Sequence, residues 1–518
     1  MPLAPLPDRQ APRGMVCAVD HLAAAAGAEV LHAGGNAVDA AVAANAVTAV
    51  TTQHQCGMGG DLFALVHLPG EPSPAALCAS GRSGSGADAD GLRAEGHTRM
   101  PPTGDIRTVP VPGCVDGWVA LHQRFGRLPL ADLFAPARSY AADGFPASEE
   151  LALAVAAFRL AADDYRHVEQ GRLVRRPGVA RALDAVARHG RAGFYGGEFG
   201  EGLLALGRGH YTEDDLARSQ ATWVEPLVVE AWGRRIWTVP PPSQGYVTLS
   251  SAWIAHGLPV PDDPAEPLWA HLLVEAARQA GYDRPAVLHE HADGRALLAP
   301  ERLLPRRAAV DPERAAVLGG AYADSGTTYL CAVDEDRMGV SLIQSNASGF
   351  GSLLVEPDTG IPLQNRGIGF SLEPGHPAEY GPARRPPHTL APALVTHPDG
   401  RLDAVLGTMG GDAQPQIVLQ LLARLLLAGQ SPTEAVAAPR WTFAGSFDTW
   451  DAGGAVEVRV EAHAPTAWVE GLASRGHRVE QAQAFSHPFG HAHVVRVDGD
   501  VLEGAADPRA RCSAAVGF

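Results

Sequence analysis

The sequence predicts a layered sandwich in which β-sheets are covered by helices on their outer faces. The chain has 518 residues, of which 46% are hydrophobic and 19% charged, a balance typical of a globular protein with a sizeable core. Helical spacing of apolar residues dominates up to about residue 280, and short strand-like runs dominate after residue 326. Sheets and helices in this mixture bury their apolar faces against one another in layers.

The first elements have clear local signals. Asp20 is placed to cap a helix over residues 23–31, which ends at the pair Gly34 and Gly35. A second helix over residues 38–50 is rich in alanine and valine, so we expect it to be buried on most sides.

The remaining elements follow from the same patterns. Predicted strands lie at residues 62–67, 75–79, 327–333, 338–345, 352–356, 391–396, 403–407, 478–482, 492–497 and 500–503, with a strand pair at 227–239 around Gly233. Predicted helices lie at residues 115–125, at several positions up to about 206, after Pro240, and at 268–280, 413–428 and 465–475. Residues 83–105 are predicted to be a loop, and residues 282–325 are irregular.

Charge and composition exclude several classes of function. The formal net charge is −17, which argues against nucleic acid or an anionic membrane as a partner. All 41 basic residues are arginine, so lysine Schiff bases and Walker-type phosphate loops are excluded. The six cysteines are scattered without Cys-x-x-Cys spacing, and the histidines form no metal motif. We expect no metal and no cofactor.

Location and assembly are less constrained by the sequence. No apolar run reaches the roughly 20 residues of a membrane span. Residues 1–9 are proline-rich and lack the basic start and apolar core of a secretion signal, so we predict a cytoplasmic protein. The sequence does not decide the oligomeric state, and a homo-oligomer is one of the open alternatives.

Several motifs occur in the order known from one enzyme family. They are Gly34-Gly35-Asn36-Ala37-Val38-Asp39, Gly57-Met58-Gly59-Gly60-Asp61, Val111-Pro112-Gly113, Asp143-Gly144-Phe145-Pro146, Gly349-Phe350-Gly351-Ser352, Met409-Gly410-Gly411 and Asp507-Pro508-Arg509. Together they resemble the gamma-glutamyltranspeptidase family over nearly the whole chain. The resemblance implies an α+β fold, the four-layer αββα sandwich of the N-terminal nucleophile hydrolases. It also implies a precursor that cuts itself at Gly326–Thr327 into a large subunit, residues 1–326, and a small catalytic subunit, residues 327–518, which form one intertwined unit.

The properties of threonine explain why such a cut would be needed for catalysis. A threonine hydroxyl is a weak nucleophile and needs a base. The α-amino group of a new N-terminal Thr327 has an ordinary pKa of about 7.7–8.0, so it is partly free at neutral pH and can serve as that base. Without the surrounding motifs, Gly326 and the threonine pair would simply begin a β-hairpin.

The resemblance also assigns site residues. Ser345 stands where the family has a hydroxyl that bonds the nucleophile, and Gly410 and Gly411 match its oxyanion-hole glycines. Thr389 stands where the family contacts the substrate carboxylate, and Arg82 matches its carboxylate-binding arginine. The expected partners are a small-molecule substrate and the two subunits of the same precursor.

One position departs from the family pattern. Typical members hold the substrate's α-amino group with an aspartate, and Gly369 stands there instead. Arg366 stands where the family has a neutral residue, so Arg82 and Arg366 could face a dicarboxylate or an acyl group without an amine.

Three hypotheses therefore stay open. The first is transfer or hydrolysis of a γ-glutamyl group, with glutathione as the family's usual donor. The second is an acylase-like amidohydrolase for an amine-free acyl group, such as glutaryl or a secondary-metabolite intermediate, including hydrolysis of a C–C bond. The third is a non-catalytic binding protein that keeps the fold.

Overall fold

Nineteen strands form the sheets of the described chain. The computed structural model describes residues 8–158, 160, 163–318, 326–444 and 457–518. The strands are β1 Arg9–Ala11, β2 Met15–Ala18, β3 Asp61–His67, β4 Ala75–Ala79, β5 Phe145–Pro146, β6 Leu173–Val174, β7 Thr222–Val224, β8 Leu227–Ala231, β9 Arg234–Thr238, β10 Gly326–Val333, β11 Gly339–Ala347, β12 Ala393–Thr396, β13 Leu402–Thr408, β14 Trp441–Ala444, β15 Glu457–Glu461, β16 Arg478–Ala482, β17 Ala492–Asp498, β18 Val501–Ala506 and β19 Ala514–Gly517.

Eighteen α-helices accompany them in the same described residues. They are α1 His21–His32, α2 Ala37–Thr51, α3 Ala89–Ala94, α4 Cys114–Phe125, α5 Leu130–Asp143, α6 Glu149–Phe158, α7 Pro177–His189, α8 Arg191–Tyr195, α9 Glu198–Leu206, α10 Glu213–Ala217, α11 Gly245–His256, α12 Pro267–Gly281, α13 Arg284–Val287, α14 Gly294–Leu297, α15 Pro300–Ala308, α16 Gln414–Leu426, α17 Pro432–Ala437 and α18 Thr466–Ser474. Short 3-10 turns include Arg366–Gly369 and Gly411–Ala413.

Two seven-stranded antiparallel sheets pack on each other at the centre. One runs in the order β19-β2-β10-β11-β3-β4-β7 and the other in the order β1-β18-β17-β13-β12-β9-β8. Apolar side chains of both sheets, among them Trp237, Tyr329, Leu394 and Val405, fill the space between them. Helices α1, α2 and α4 pack on the first sheet, and α11, α16 and α17 pack on the second. This order of layers confirms the predicted αββα sandwich.

The helix α2 shows why this sequence suits the layer between the first sheet and its neighbouring helices. Asn36 accepts hydrogen bonds from Val38 and Asp39, and the Asp39 side chain accepts one from the Asn36 amide, which is a capping box. All fifteen residues from Ala37 to Thr51 are buried, as expected for small side chains that pack on every side.

The hairpin β10–β11 joins the two parts of the chain on either side of the predicted cut. It lies between β2 and β3, two strands that precede residue 326. Side chains on β10 alternate between the two faces of the sheet, as in any β-strand. Tyr329 and Cys331 face the opposite sheet, whereas Leu330 and Ala332 face the helices. The register shifts by one residue between Gly326 and Thr328, so two residues of β11, Ser345 and Asn346, form a β-bulge opposite Thr327.

Some predicted elements are wrong. Residues 352–356 form no strand, because positive φ angles at Phe350, Gly351 and Leu353 bend the chain into a loop. The predicted loop 83–105 contains the short helix α3, capped by Asp88. The irregular stretch 282–318 contains α13, α14 and α15, and residues 319–325 lie outside the described residues.

None of the helices in the described residues is long and apolar enough to cross a membrane. The six cysteines of the described residues are free, and all but Cys512 are buried. Within the same residues, no group of three or more His, Cys, Asp or Glu side chains is arranged to hold a metal ion.

Buried histidines predict an acid-labile fold. Burial lowers the pKa of His54 and His388 to about 3 and that of His493 to about 4. Below the ordinary pKa of about 6.5 the unfolded chain binds protons that the folded chain does not, so folding weakens as the pH falls. We expect the free energy of unfolding to drop between pH 6.5 and 4, by up to about 1.4 kcal/mol per pH unit for each such histidine.

Urea unfolding at pH 7, 6 and 5 measures this dependence. His493→Phe keeps an aromatic ring and removes the titrating group, so its stability should fall less steeply with decreasing pH. A wild-type stability that is equal at pH 7 and pH 5 would show that these histidines do not control it.

Candidate active site

Thr327 is the second residue of β10, and it is fully buried. In the uncut chain its Oγ1 is 2.7 Å from the carbonyl oxygen of Gly326 and 3.1 Å from Oγ of Ser345. The Thr327 hydroxyl oxygen therefore lies next to the peptide group that precedes it.

Ser345, on β11, connects these two groups. Its Oγ donates to the carbonyl oxygen of Gly326 at 2.6 Å and accepts from the amide of Ala347 at 2.8 Å. A donor on the Gly326 carbonyl oxygen withdraws electrons from the carbon that Thr327 would attack.

Ser345→Ala is expected to slow the cut at Gly326–Thr327 and to lower kcat of the cut enzyme about 10- to 100-fold, the usual effect of losing one such hydrogen bond. The fraction of cut chain on a denaturing gel and a kcat measurement test this. Ser345→Thr keeps the hydroxyl and is the matched control. Normal cutting and turnover in Ser345→Ala would exclude the role.

Arg366 is a buried cation beside this pair. Its Nη2 lies 3.3 Å from Oγ of Ser345, and its Nη1 donates to Oγ1 of Thr389 at 3.1 Å. Within the described residues its Nε has no hydrogen-bond partner and no carboxylate forms an ion pair with it. Burial lowers its pKa to about 10, and Asp61 and Asp412 partly offset this effect. Such a cation is suited to an anionic ligand.

Gln244, at the start of α11, joins Thr389 to the glycine turn. Its Nε2 donates to the carbonyl oxygens of Thr389 at 2.9 Å and of Gly411 at 2.8 Å. Its Oε1 accepts from Arg284, which is also paired with Asp412. The sequence analysis missed Gln244, because Thr389 and Gly411 lie more than 140 residues away from it along the chain.

The turn of Gly410 and Gly411 follows β13 and is joined to Thr389 through Gln244. Their φ angles are +136° and +55°, and the first is one that only glycine adopts without strain. Within the described chain, neither amide nitrogen donates a hydrogen bond to another protein group. Two free N–H groups at a glycine turn can stabilise an oxyanion.

His388 and Asp61 form a second buried pair that the sequence analysis did not single out. Nε2 of His388 is 3.1 Å from Oδ2 of Asp61. Burial and the Arg366 cation lower the pKa of His388 to about 3, so the ring is neutral near pH 7. Oδ1 of Asp61 accepts from the amides of Gly81 and Gly113, which holds the segments around these two glycines beside Asp61.

Comparison with known proteins identifies the family. A family model described as gamma-glutamyltranspeptidase matches residues 23–517. The chain belongs to the gamma-glutamyltranspeptidase family. This family of hydrolases and acyltransferases includes proenzymes, and the resemblance drawn from the motifs is confirmed.

Two relatives and one solved structure show the range of similarity within the family. The oxamate amidohydrolase proenzyme of Klebsiella pneumoniae is 36% identical over 97% of this chain and 98% of its own. The glutathione hydrolase-like YwrD proenzyme of Bacillus subtilis is 34% identical over the same shares. The crystal structure of cephalosporin acylase from Bacillus halodurans, 31% identical, covers 100% of this chain and 98% of its own with a TM-score of 0.91.

The position that holds an aspartate in typical gamma-glutamyltranspeptidases is closed here. A Cβ atom at Gly369 would lie 2.7 Å from the backbone oxygen of Pro387, too close for any side chain without a shift. The backbone of Pro387 therefore stands beside the place from which the family's carboxylate would extend.

Arg82, which the family resemblance assigns to the substrate, lies apart from these contacts. Its Nη1 is 3.3 Å from the carbonyl oxygen of Ser219 and from Oε1 of Gln220. No contact within the described residues joins its guanidinium to Thr327. By contrast, hydrogen bonds connect Thr327, Ser345, Arg366, Thr389, Gln244 and Gly411 in one continuous network.

Proposed function

We propose that the chain cuts itself between Gly326 and Thr327 and then acts as an amidohydrolase through an acyl-Thr327 intermediate. In the first step Oγ1 of Thr327 bonds to the carbonyl carbon of Gly326 and the peptide C–N bond breaks. The hydroxyl proton passes to the nitrogen that is released. Water then cleaves the ester and leaves a free α-amino group on Thr327.

The new amine takes the hydroxyl proton of Thr327 when Oγ1 attacks a substrate amide. The amide N–H groups of Gly410 and Gly411 hold the negative oxygen that forms. The C–N bond of the substrate breaks, its nitrogen leaves with the proton from the amine, and water hydrolyses the acyl-threonine. Short contacts between Thr327, Ser345 and the Gly326 carbonyl support the first step.

The acyl group that best fits the site carries a carboxylate and no α-amino group. The observation that carries this proposal is Arg366, a buried cation without a carboxylate partner among the described residues, one contact away from Ser345. Gly369 supplies no carboxylate for an ammonium group, and leaving such a group buried and unpaired is unfavourable by several kcal/mol. The relatives include an oxamate amidohydrolase, whose named substrate carries a carboxylate and no α-amino group, which supports this class.

Two anilides test the acyl preference. γ-Glutamyl anilide and glutaryl anilide have the same chain length and differ only in the α-amino group. We expect kcat/KM of the cut protein to be at least about tenfold higher for glutaryl, equivalent to about 1.4 kcal/mol. Acetyl anilide, which lacks both charges, is the control for the carboxylate. Equal or faster turnover of the γ-glutamyl compound would contradict the proposal.

A γ-glutamyl hydrolase or transferase is the second candidate. Glutathione hydrolase proenzymes, such as that of Pseudomonas aeruginosa at 29% identity over 96% of this chain, are among the relatives. The outcome of the anilide comparison decides between the two candidates. A cytoplasmic location stays a prediction from the sequence.

A further inference from the structure

We propose that Thr408 and Gln244 are positioning residues for the oxyanion turn of Gly410 and Gly411. Their side chains bind carbonyl groups on either side of the turn and so fix the direction of its two N–H groups. This inference rests on the proposed function and gives a role in turnover to two side chains outside the group of Thr327, Ser345 and Arg366.

The geometry of the peptide group links a carbonyl to the next N–H. Each N–H of the turn shares a planar trans peptide group with the carbonyl of the preceding residue. The N–H of Gly410 therefore points away from the carbonyl oxygen of Met409, and the N–H of Gly411 points away from that of Gly410. A hydrogen bond that holds one of these carbonyl oxygens also fixes the N–H on the other side of the same peptide group.

Thr408, the last residue of β13, holds the first of these carbonyls. Its Oγ1 donates to the carbonyl oxygen of Met409 at 2.6 Å, and the Met409 N–H donates to the carbonyl oxygen of His491 at 3.4 Å. Thr408 is fully buried, so this hydrogen bond forms away from water, where it is electrostatically stronger. The Thr408 hydroxyl thereby sets the direction of the Gly410 N–H.

Gln244 anchors the other side of the turn to the start of α11. The N–H of Ala413 donates to the carbonyl oxygen of Gly410 at 2.9 Å, and Nε2 of Gln244 donates to that of Gly411 at 2.8 Å. Nη1 of Arg284 donates to Oε1 of Gln244 at 2.7 Å, so the amide oxygen faces the cation and the amide nitrogen faces the carbonyl. Both peptide bonds of Gly411 are thus held by hydrogen bonds.

The turn differs from an ordinary connection between a strand and a helix in what its N–H groups do. The carbonyls of Met409, Gly410 and Gly411 all accept hydrogen bonds from the protein. The N–H groups of Gly410 and Gly411 are buried and donate to no protein group in the described chain. Buried N–H groups without a partner are unfavourable, so held in a fixed direction they are suited to a ligand oxygen that gains negative charge.

Thr408→Val tests the first contact, because valine keeps the shape of threonine and lacks the hydroxyl. On cut protein with glutaryl anilide, we expect kcat to fall about 10- to 100-fold, less than on complete loss of an oxyanion donor. KM should not change, since the N–H groups act on the charge that develops in the transition state. Thr408→Ser keeps the hydroxyl and should retain most of the wild-type kcat. A wild-type kcat in Thr408→Val would overturn this role.

Thr396→Val is the matched control for Thr408→Val. Thr396 is a buried threonine of β12 that pairs with Leu402, at the opposite end of β13 from Thr408, and its hydroxyl accepts from Nε1 of Trp237 at 2.9 Å. Its substitution should lower the midpoint of urea unfolding and leave kcat unchanged. An equal loss of kcat in the two valine variants would show that Thr408 acts only through stability.

Gln244→Glu tests the second contact. The carboxylate keeps an oxygen for Arg284 but has no donor for the carbonyl of Gly411, so we expect kcat to fall about 10- to 100-fold. KM should rise as well, because Gln244 also donates to the carbonyl oxygen of Thr389, whereas Thr408→Val should change kcat alone. Gln244→Met, which has a similar length and no charge, should show the same losses.

Gln420→Glu is the matched control for the glutamine variants. Gln420 is a buried glutamine of α16 whose Nε2 donates to the carbonyl oxygens of Gln416 and Trp441. Its substitution should affect urea unfolding and not kcat. A wild-type kcat in both Gln244 variants, or a loss of kcat in Gln420→Glu as large as in Gln244→Glu, would overturn the role of Gln244.

The positioning roles and the proposed function fail in different ways. A wild-type kcat in Thr408→Val and Gln244→Met overturns the positioning roles and leaves the amidohydrolase function in place. If cut wild-type protein hydrolyses only γ-glutamyl anilide, the same variants are compared on that substrate, because the oxyanion does not depend on the acyl group. If it hydrolyses neither anilide, the proposed function is wrong, and the positioning roles with it.

Discussion

Thr327→Ala is expected to leave the protein as one uncut chain of 518 residues without acyl-transfer activity. Wild-type protein should show two bands, for residues 1–326 and 327–518. The variant lacks the hydroxyl that attacks the Gly326 carbonyl, so neither the cut nor the acyl-enzyme can form. Loss of a nucleophile lowers kcat by at least about 10⁴-fold in hydrolases of this kind.

Two controls separate chemistry from folding in that experiment. Thr327→Ser keeps both the hydroxyl and, after cutting, the α-amino group, so it should still be cut and active. Thr328→Ala removes the neighbouring hydroxyl, which lies 3.5 Å from the carbonyl oxygen of Gln344, and should be cut like wild type. Two bands in Thr327→Ala would place the cut or its nucleophile elsewhere.

Gly410→Ala is expected to lower kcat about 100- to 1000-fold with little change in the fold, the effect seen when one oxyanion donor is lost. The φ angle of +136° at Gly410 is strained for any L-residue, and a Cβ would meet Cδ1 of Ile417 at 3.2 Å. The turn must shift, and the N–H groups of Gly410 and Gly411 then no longer point at the oxyanion. Steady-state kinetics on cut protein measure the effect.

Gly429→Ala is the matched control for Gly410→Ala. Gly429 also has a positive φ, +66°, but a Cβ there meets nothing within 4 Å. Its substitution should lower stability by about 1 kcal/mol and leave kcat unchanged. If both variants show the same kcat as wild type, the turn at Gly410 does not hold the oxyanion.

Local signals made much of the fold predictable. The cap at Asp20, the alanine-rich helix α2 and the apolar runs of β3 and β10 each depend on neighbouring residues, and each lies where the sequence predicts. The run 352–356 has strand composition, but the conformation of Phe350 to Leu353 overrides that preference. The missed strand β15 pairs in parallel with β16 and depends on a partner 21 residues away.

The residues of the candidate site fall into the same two groups, those with local sequence signals and those brought together only by the fold. Gly326, Thr327 and the glycine pair at 410 and 411 have local signatures, whereas contacts such as Gln244–Gly411 and Asp61–His388 form only when distant segments meet in the fold. The closure of the position at Gly369 by Pro387 is likewise a matter of tertiary packing.

Mass spectrometry of the small subunit tests the central claim most directly. Cut wild-type protein is quenched with acid during incubation with glutaryl anilide, and the chain that begins at Thr327 is weighed and sequenced. We predict an N-terminal Thr327 and a mass increase equal to one acyl group on that residue, absent without substrate. An acyl group on another residue, or turnover by protein in which the Gly326–Thr327 bond is intact, would contradict the account.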